Sequence, residues 1–349
     1  MNIIVKKTKA AILVKQKKPL VISEIELPNK LLKGQILVQM LYSGICGSQL
    51  GEIEGIKGKD KFLPHLLGHE GIAKVLQVGP SVKKVKKGNK VLLHWMPSSG
   101  INAKPPIYKW KNKKLNAGYL TTFNNHAIVS ENRITRIRNS KNDLDMLLLG
   151  CTASTAIGSV EKLCKVNKNH TIAVAGCGPI GLYIIRYLKF LKVKNIISID
   201  INLNKLKLSK KYGATEIILN SKKNKYLNNF QKIKNKIDYF FECSGNTTVI
   251  SEGYESLNQN GSMILIGVPS HKKKAKFNTL GINLGKNLIG SKGGKFNASL
   301  DLKKFSKIIS LKNLGSKNFI LKKIQLNQIN NIFYEMKKNR SIGKSIIKF

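Results

Sequence analysis

The chain has 349 residues, 42% of them hydrophobic, enough to bury a sizeable core and long enough to favour two domains over one. No stretch approaches the roughly 20 apolar residues of a membrane span, and the run Ala10-Ala11-Ile12-Leu13-Val14 reads as a first strand rather than a signal-peptide core. The net charge of +44 would suit a nucleic-acid surface, but only five of the 62 basic residues are arginines and the lysines are spread over the whole length, so neither nucleic acid nor membrane is expected as a partner.

Residues 1 to about 150 carry short β-like runs punctuated by Gly, Pro and Lys, such as Gln35 to Met40 and Gly71 to Gly79, which predict an all-β or barrel-like unit. Three segments there carry soft or charged donors: Gly44-Ile45-Cys46-Gly47-Ser48, Gly68-His69-Glu70 and Leu149-Gly150-Cys151. Dispersed Cys and His suit a catalytic zinc, which takes three protein ligands and keeps a fourth position open. Spacing alone leaves open that Cys46 and His69 are core residues. The five cysteines show neither close pairing nor the spacing of a disulfide framework, so a reducing cytoplasm is expected, with Cys164, Cys177 and Cys243 as small buried hydrophobes.

From about residue 153 strand and helix alternate: a strand at Thr171 to Ala175, a helix from Pro179 to about Leu191, a strand at Asn195 to Asp200, and further strands at Ile237 to Glu242 and Gly261 to Gly267. Such alternation predicts a parallel sheet covered by helices. The glycine turn Gly176-Cys177-Gly178-Pro179-Ile180-Gly181 follows an apolar strand, opens a helix and precedes Asp200 at the end of the second strand. In that context it is a dinucleotide fingerprint: Gly176 for the tight turn, Gly178 for approach of the pyrophosphate, Gly181 for helix–strand packing, and Asp200 for the ribose hydroxyls. Asp200 favours NAD over NADP, although Lys205 could contact either ribose or phosphate. After roughly residue 293 a lysine-rich, helix-rich tail ends in Ser345 to Phe349, a strand expected to return to the first domain.

These motifs, with Val78-Gly79, Lys87-Gly88-Asn89-Lys90-Val91 and the stretch from Leu149 to Thr155, resemble the zinc-dependent medium-chain alcohol dehydrogenase family over nearly the whole length. The resemblance implies a fold of class α/β plus β, with a GroES-like β-rich catalytic domain at 1–152 and 293–349 and a Rossmann doubly wound domain at 153–292. It implies Cys46, His69 and Cys151 as ligands of one catalytic zinc, Glu70 as a nearby carboxylate able to approach the metal, and Ser48 as the hydroxyl that relays the alcohol proton. Thr155 and Ile180 would pack the nicotinamide, and Trp95 falls at a wall of the substrate pocket or is plain core. His94 beside it would add a polar contact or cap a strand.

The chain departs from the family pattern at several points. No cysteine lies between 46 and 151, so no structural zinc is expected, and the segment from Met96 to Leu115 should form a different lobe. Gln49 stands where the family usually has an aspartate supporting the ligand histidine. Gly51 replaces a histidine that extends the proton relay in some members, and Gly47 and Ile347 stand where some members place arginines on the cofactor pyrophosphate. The implied activity is hydride transfer between a small alcohol or carbonyl and NAD, in a dimer or tetramer. Gly47-Ser48 resembles polyol and other secondary-alcohol dehydrogenases, while Gly150-Cys151 resembles the ethanol and glutathione-dependent branch. A zinc-free quinone reductase-like enzyme and an NAD-binding sensor whose catalysis has lapsed are the alternatives.

Overall fold

A computed structural model describes residues 2–137, 142–220, 230–311 and 314–349. The chain divides into two compact units, Met1–Cys151 with Asn297–Phe349, and Thr152–Phe296.

The first unit opens with ten strands: β1 (Lys7–Leu13), β2 (Val21–Glu26), β3 (Gln35–Ile45), β4 (His65–Leu66), β5 (Gly71–Val78), β6 (Lys90–Leu93), β7 (Ile107–Trp110), β8 (Lys113–Asn116), β9 (His126–Ser130) and β10 (Ile134–Arg136). Helix α1 (Gly47–Glu54) follows β3 directly, and α2 (Asp143–Leu148) precedes Cys151. Strands β1, β2, β7, β8 and β4 close into a barrel. The second half of the segment expected to form a different lobe is a hairpin, β7–β8, built into the barrel. Alternation explains its place there: Tyr108 and Leu115 face each other across the hairpin and are fully buried, while the lysines between them point outward.

The second unit is a six-stranded sheet: β11 (Thr171–Ala175), β12 (Asn195–Asp200), β13 (Glu216–Leu219), β14 (Ile237–Glu242), β15 (Leu257–Leu265) and β16 (Asn287–Gly290). All pairings are parallel and the order is β13-β12-β11-β14-β15-β16. The order reverses between β11 and β14, the switch point at which doubly wound sheets bind dinucleotides. Ile172, Ala173, Val174, Phe240 and Phe241 are buried on both faces of these central strands, as helices covering a parallel sheet require. Helices α3 (Thr152–Leu163), α4 (Pro179–Phe190), α5 (Leu203–Tyr212) and α6 (Thr247–Glu255) belong to this unit. Residues up to Phe296 stay with it because Gly158 of α3 lies against the backbone of Gly294, where a Cβ would fall 2.6 Å from the Gly294 carbonyl oxygen.

The chain then returns to the first unit through α7 (Asp301–Leu311), β17 (Ile320–Ile324), α8 (Ile329–Lys337) and β18 (Lys344–Lys348). Strand β18 pairs antiparallel with the second half of β3, and β9 pairs with the first half. The complete sheet runs β10-β6-β5-β3-β18-β17, with β9 also on β3. Its core joins Ile45, Leu67 and Phe123 to Phe333 and Ile347. Among the described residues no helix is long and apolar enough to cross a membrane.

Candidate functional site

Strand β3 is the element that places the metal-type donors. Cys46 is the N-cap of α1, and its backbone N–H donates to Gln49 Oε1 at 3.0 Å, closing the first turn. Strand β5 begins at Gly71 and pairs with β3 at Ser43, which lays Glu70 against Gly44. A Cβ at Gly44 would fall 2.5 Å from Glu70 Cδ, and one at Gly150 would fall 2.7 Å from Glu70 Cβ, so both glycines make room for that carboxylate. The outcome is a cluster in which one donor atom each of Cys46, His69, Glu70 and Cys151 lies within 4.8 Å of the others.

Two buried atoms in the cluster, His69 Nε2 and Glu70 Oε2, have no hydrogen-bond partner. Orphaned buried polar atoms are costly, and their position beside two sulfurs fits a metal that would take them as donors or near-donors. The thiols are an unequal pair. A hydrogen bond from Cys151 holds the Cys46 thiol well below its ordinary range, burial opposing it, and the same contact raises Cys151. Burial acts against a charged His69, yet the nearby Cys46 thiol and the Glu70 carboxylate raise it overall.

A residue that the sequence reading did not single out completes the set. Lys344, at the start of β18, donates from Nζ to Glu70 Oε1, and both side chains are 0% exposed. Burial opposes the ammonium, but Glu70, Cys46 and Cys151 together raise its pKa. With both thiols ionised the set carries three negative charges and one positive, a balance of two that matches a divalent ion. Ile347, singled out from the sequence, lies instead in the apolar core at 0% exposure, because strand alternation turns it away from the face that carries Lys344 and Ile346. The available signal was a cation at the head of a short terminal strand, ahead of Ser345, Ile346 and Ile347.

Gln49 is 1% exposed and spans two groups. Its Oε1 accepts from Cys46 N–H, so its Nε2 faces and donates to His69 Nδ1. Ser48 Oγ also lies 3.4 Å from His69 Nδ1. His94 is fully buried, hydrogen-bonded through Nδ1 to the Met96 carbonyl at 2.7 Å and through Nε2 to Thr135 Oγ1 at 3.0 Å. Burial pushes its pKa down to about 4, which leaves it neutral and structural. Trp95 is half-buried, its Nε1 without a partner.

In the second unit, Gly176 (φ +92°) and Gly181 close the turn after β11, and a Cβ at Gly181 would fall 2.0 Å from the Gly176 carbonyl oxygen. Gly178 caps α4 without a side chain and has nothing within 4 Å of its Cβ position, leaving the free amides of the helix N-terminus, with Pro179 at its first position and Ile180 beside it, open to an anion. Asp200 ends β12, where Oδ2 accepts from Cys177 N–H at 2.7 Å and Oδ1 from Asn202 N–H at 2.8 Å. The carboxylate is thus held at the glycine turn, with lone pairs left for hydroxyl groups. Burial lowers the Lys205 pKa and Asp200 raises it, the net being downward. Thr155 is buried on α3. Cys164 and Cys177 are buried, with thiols pushed up to about 12 by burial, whereas Cys243 is half-buried.

A GroES-like β-rich unit carrying a Cys–His–Glu–Cys cluster, followed by a doubly wound sheet with a glycine turn, defines a zinc-type alcohol dehydrogenase architecture. Sequence models of two domains match in tandem, the alcohol dehydrogenase GroES-like domain at residues 32–139 and the zinc-binding dehydrogenase domain at 179–310, and the chain belongs to the zinc-dependent medium-chain alcohol dehydrogenase family. Among its relatives is an S-(hydroxymethyl)glutathione dehydrogenase of Escherichia coli, 28% identical over 98% of this chain and 100% of the relative. Similar solved structures include an alcohol dehydrogenase zinc-binding domain protein from Burkholderia ambifaria (TM-score 0.86, 22% identity, 99% of each chain). Benzyl alcohol dehydrogenase from Acinetobacter calcoaceticus is another (TM-score 0.84, 20% identity, 99% of this chain and 100% of that one), and at such identities the likeness is one of fold.

Proposed function

We propose that this oxidoreductase moves a hydride between a small alcohol, of the polyol, sugar-derivative or other secondary type, and NAD. The observation that carries the reading is the cluster of two thiols, an orphaned imidazole nitrogen and an orphaned carboxylate oxygen in one place, with Glu70 and Cys151 buried and Cys46 and His69 half-buried. Cys46, His69 and Cys151 would hold one zinc per chain, with Glu70 close by, and the absence of any cysteine between 46 and 151 speaks against a second, structural zinc. The chemistry zinc brings to such a donor set is Lewis-acid polarisation of a substrate oxygen.

The rest falls to the chain's own residues. Ser48 Oγ accepts the hydroxyl proton, the Lys344 ammonium keeps Glu70 compensated, and Trp95 forms a wall of the substrate pocket. Gly176, Gly178 and Gly181 admit the pyrophosphate at the head of α4, and Thr155 and Ile180 pack the nicotinamide. Asp200 accepts the ribose hydroxyls and repels a 2′-phosphate, which favours NAD over NADP. The Gly47-Ser48 pair, similar to that of secondary-alcohol dehydrogenases, supports this substrate class, while Gly150-Cys151 resembles the glutathione-dependent branch to which the Escherichia coli relative belongs by name. A cytoplasmic dimer or tetramer is the form expected of such an enzyme.

The test is metal analysis of the purified protein with a dinucleotide-reduction screen over polyols, amino alcohols, sugar derivatives and simple alcohols. About one zinc per chain, reduction of NAD in preference to NADP, and loss of both metal and activity in Cys46→Ala are expected. Asp200→Ala should erase the cofactor preference. A folded, metal-free protein that binds NADH without oxidising any alcohol would establish the lapsed-sensor reading instead.

A further inference from the structure

Glu52 is a half-buried carboxylate that neither site uses. It lies four residues after Ser48 on α1, and side chains at that spacing share one face of a helix. Gly51 between them has no side chain that could carry a proton away. Ser48 and Glu52 are both half-buried, whereas Gln49, Gly51 and Ile53 are buried, so the two line the margin of the helix between site and solvent. Among the described residues no donor hydrogen-bonds the Glu52 carboxylate. Burial lifts its pKa above the usual carboxylate range; His65, His69 and Lys57 pull it back and Asp60 adds to the rise. A carboxylate so placed is a stronger base than a solvated one.

The carboxylates and the histidine next to it on this side are engaged. His65 Nε2 lies 2.7 Å from Asp60 Oδ2 and its Nδ1 lies 3.0 Å from the Leu66 carbonyl oxygen, so both ring nitrogens are occupied. Glu54, two residues further on the helix, pairs with Lys337 of α8 at 2.9 Å.

We propose that Glu52 is the proton acceptor that serves Ser48. The alcohol's hydroxyl proton passes to Ser48 Oγ as the serine's own proton passes, directly or through one water, to a Glu52 carboxylate oxygen, and the Glu52 carboxyl then releases it to solvent. No electrons move in this step, and one proton enters and leaves each group. The inference rests on the dehydrogenase reading above and adds to it a residue outside the metal and dinucleotide sites.

Because the relay needs the ionised carboxylate, alcohol oxidation by the wild type should fall as pH drops through the raised Glu52 pKa. Glu52→Gln should lose that acid limb and oxidise alcohol about 100-fold more slowly, with KM little changed. Glu52→Asp should retain the limb at an intermediate rate, and added formate should restore part of the rate of Glu52→Ala. A second readout needs no turnover: an indicator dye should report prompt proton release when trifluoroethanol, too electron-poor to lose hydride, binds the wild-type complex with NAD, and delayed release in Glu52→Gln. A wild-type pH profile and prompt release in a folded Glu52→Gln protein, or a change in KM alone, would overturn the relay. A wild-type protein that oxidises no alcohol would overturn the dehydrogenase reading, and the relay with it.

Discussion

Replacing Gln49 by glutamate should tighten metal binding. The Gln49 carbonyl oxygen is held by Cys46 N–H, which turns the amide NH2 towards His69 Nδ1. An imidazole that gives its Nε2 lone pair to a metal carries its proton on Nδ1, so two donors then face each other across this contact. The wild type has two ways out. It can flip the amide and set NH2 against Cys46 N–H, or it can share one oxygen between two donors. Losing one buried hydrogen bond with its donor unsatisfied costs about 1–3 kcal/mol, which at 1.4 kcal/mol per tenfold weakens metal binding by roughly five- to a hundredfold. A carboxylate accepts from both donors at once, so Gln49→Glu should recover that factor. In the metal-free state the new carboxylate, 1% exposed at the wild-type side chain, has only the His69 imidazole and one backbone N–H to offset its desolvation and should lower the melting temperature. Titration of zinc-loaded protein with a chromogenic chelator, together with thermal melts with and without metal, measures both effects. A folded Gln49→Glu protein that surrenders zinc at the same or a lower chelator concentration would show that the amide does not oppose the ligand histidine.

Lys344→Met leaves Glu70 charged and buried without its partner; denaturant unfolding of the metal-free protein should show a loss of about 3–5 kcal/mol, and a loss below about 1 kcal/mol, the range of an exposed pair, would contradict the buried pairing. Gly181→Ala puts a methyl 2.0 Å from the Gly176 carbonyl oxygen, so α4 must move off β11; NADH binding followed by fluorescence should be lost, and wild-type affinity would disprove the close packing. Cys46 has a lowered pKa, so its thiolate persists as pH falls below 9.0, and stability gained from the thiolate is present at high pH and disappears as pH falls through the lowered value. Iodoacetamide should therefore label Cys46 first in metal-stripped protein at neutral pH, ahead of Cys164 and Cys177, whose thiols are pushed up to about 12; mass-spectrometric mapping that finds no preference would contradict the thiolate.

What the sequence by itself determined is what depends on neighbours along the chain. Continuous apolar runs such as Thr171 to Ala175 declare strands buried on both faces, and the glycine turn declares a backbone that no other residue could take so close to itself at Gly181. The alternation of strand and helix after residue 153 then implies the parallel sheet. Cys46, His69, Glu70 and Cys151 could be marked by their motifs, but that their donor atoms lie within 4.8 Å is a property of β3, β5 and the segment after α2 packed together.

Only the tertiary structure decided the role of Lys344. In a chain with 62 basic residues one more lysine reads as surface, and the pairing that carries it to Glu70 spans 274 positions. The same holds for Gln49, whose amide direction is set by a backbone N–H three residues back and a histidine twenty residues on. It holds too for the hairpin β7–β8, whose lysines hide two facing buried side chains. Periodicity reports which face of an element is apolar. Which charge compensates which, once water is excluded, depends on distances that exist only after the strands have paired.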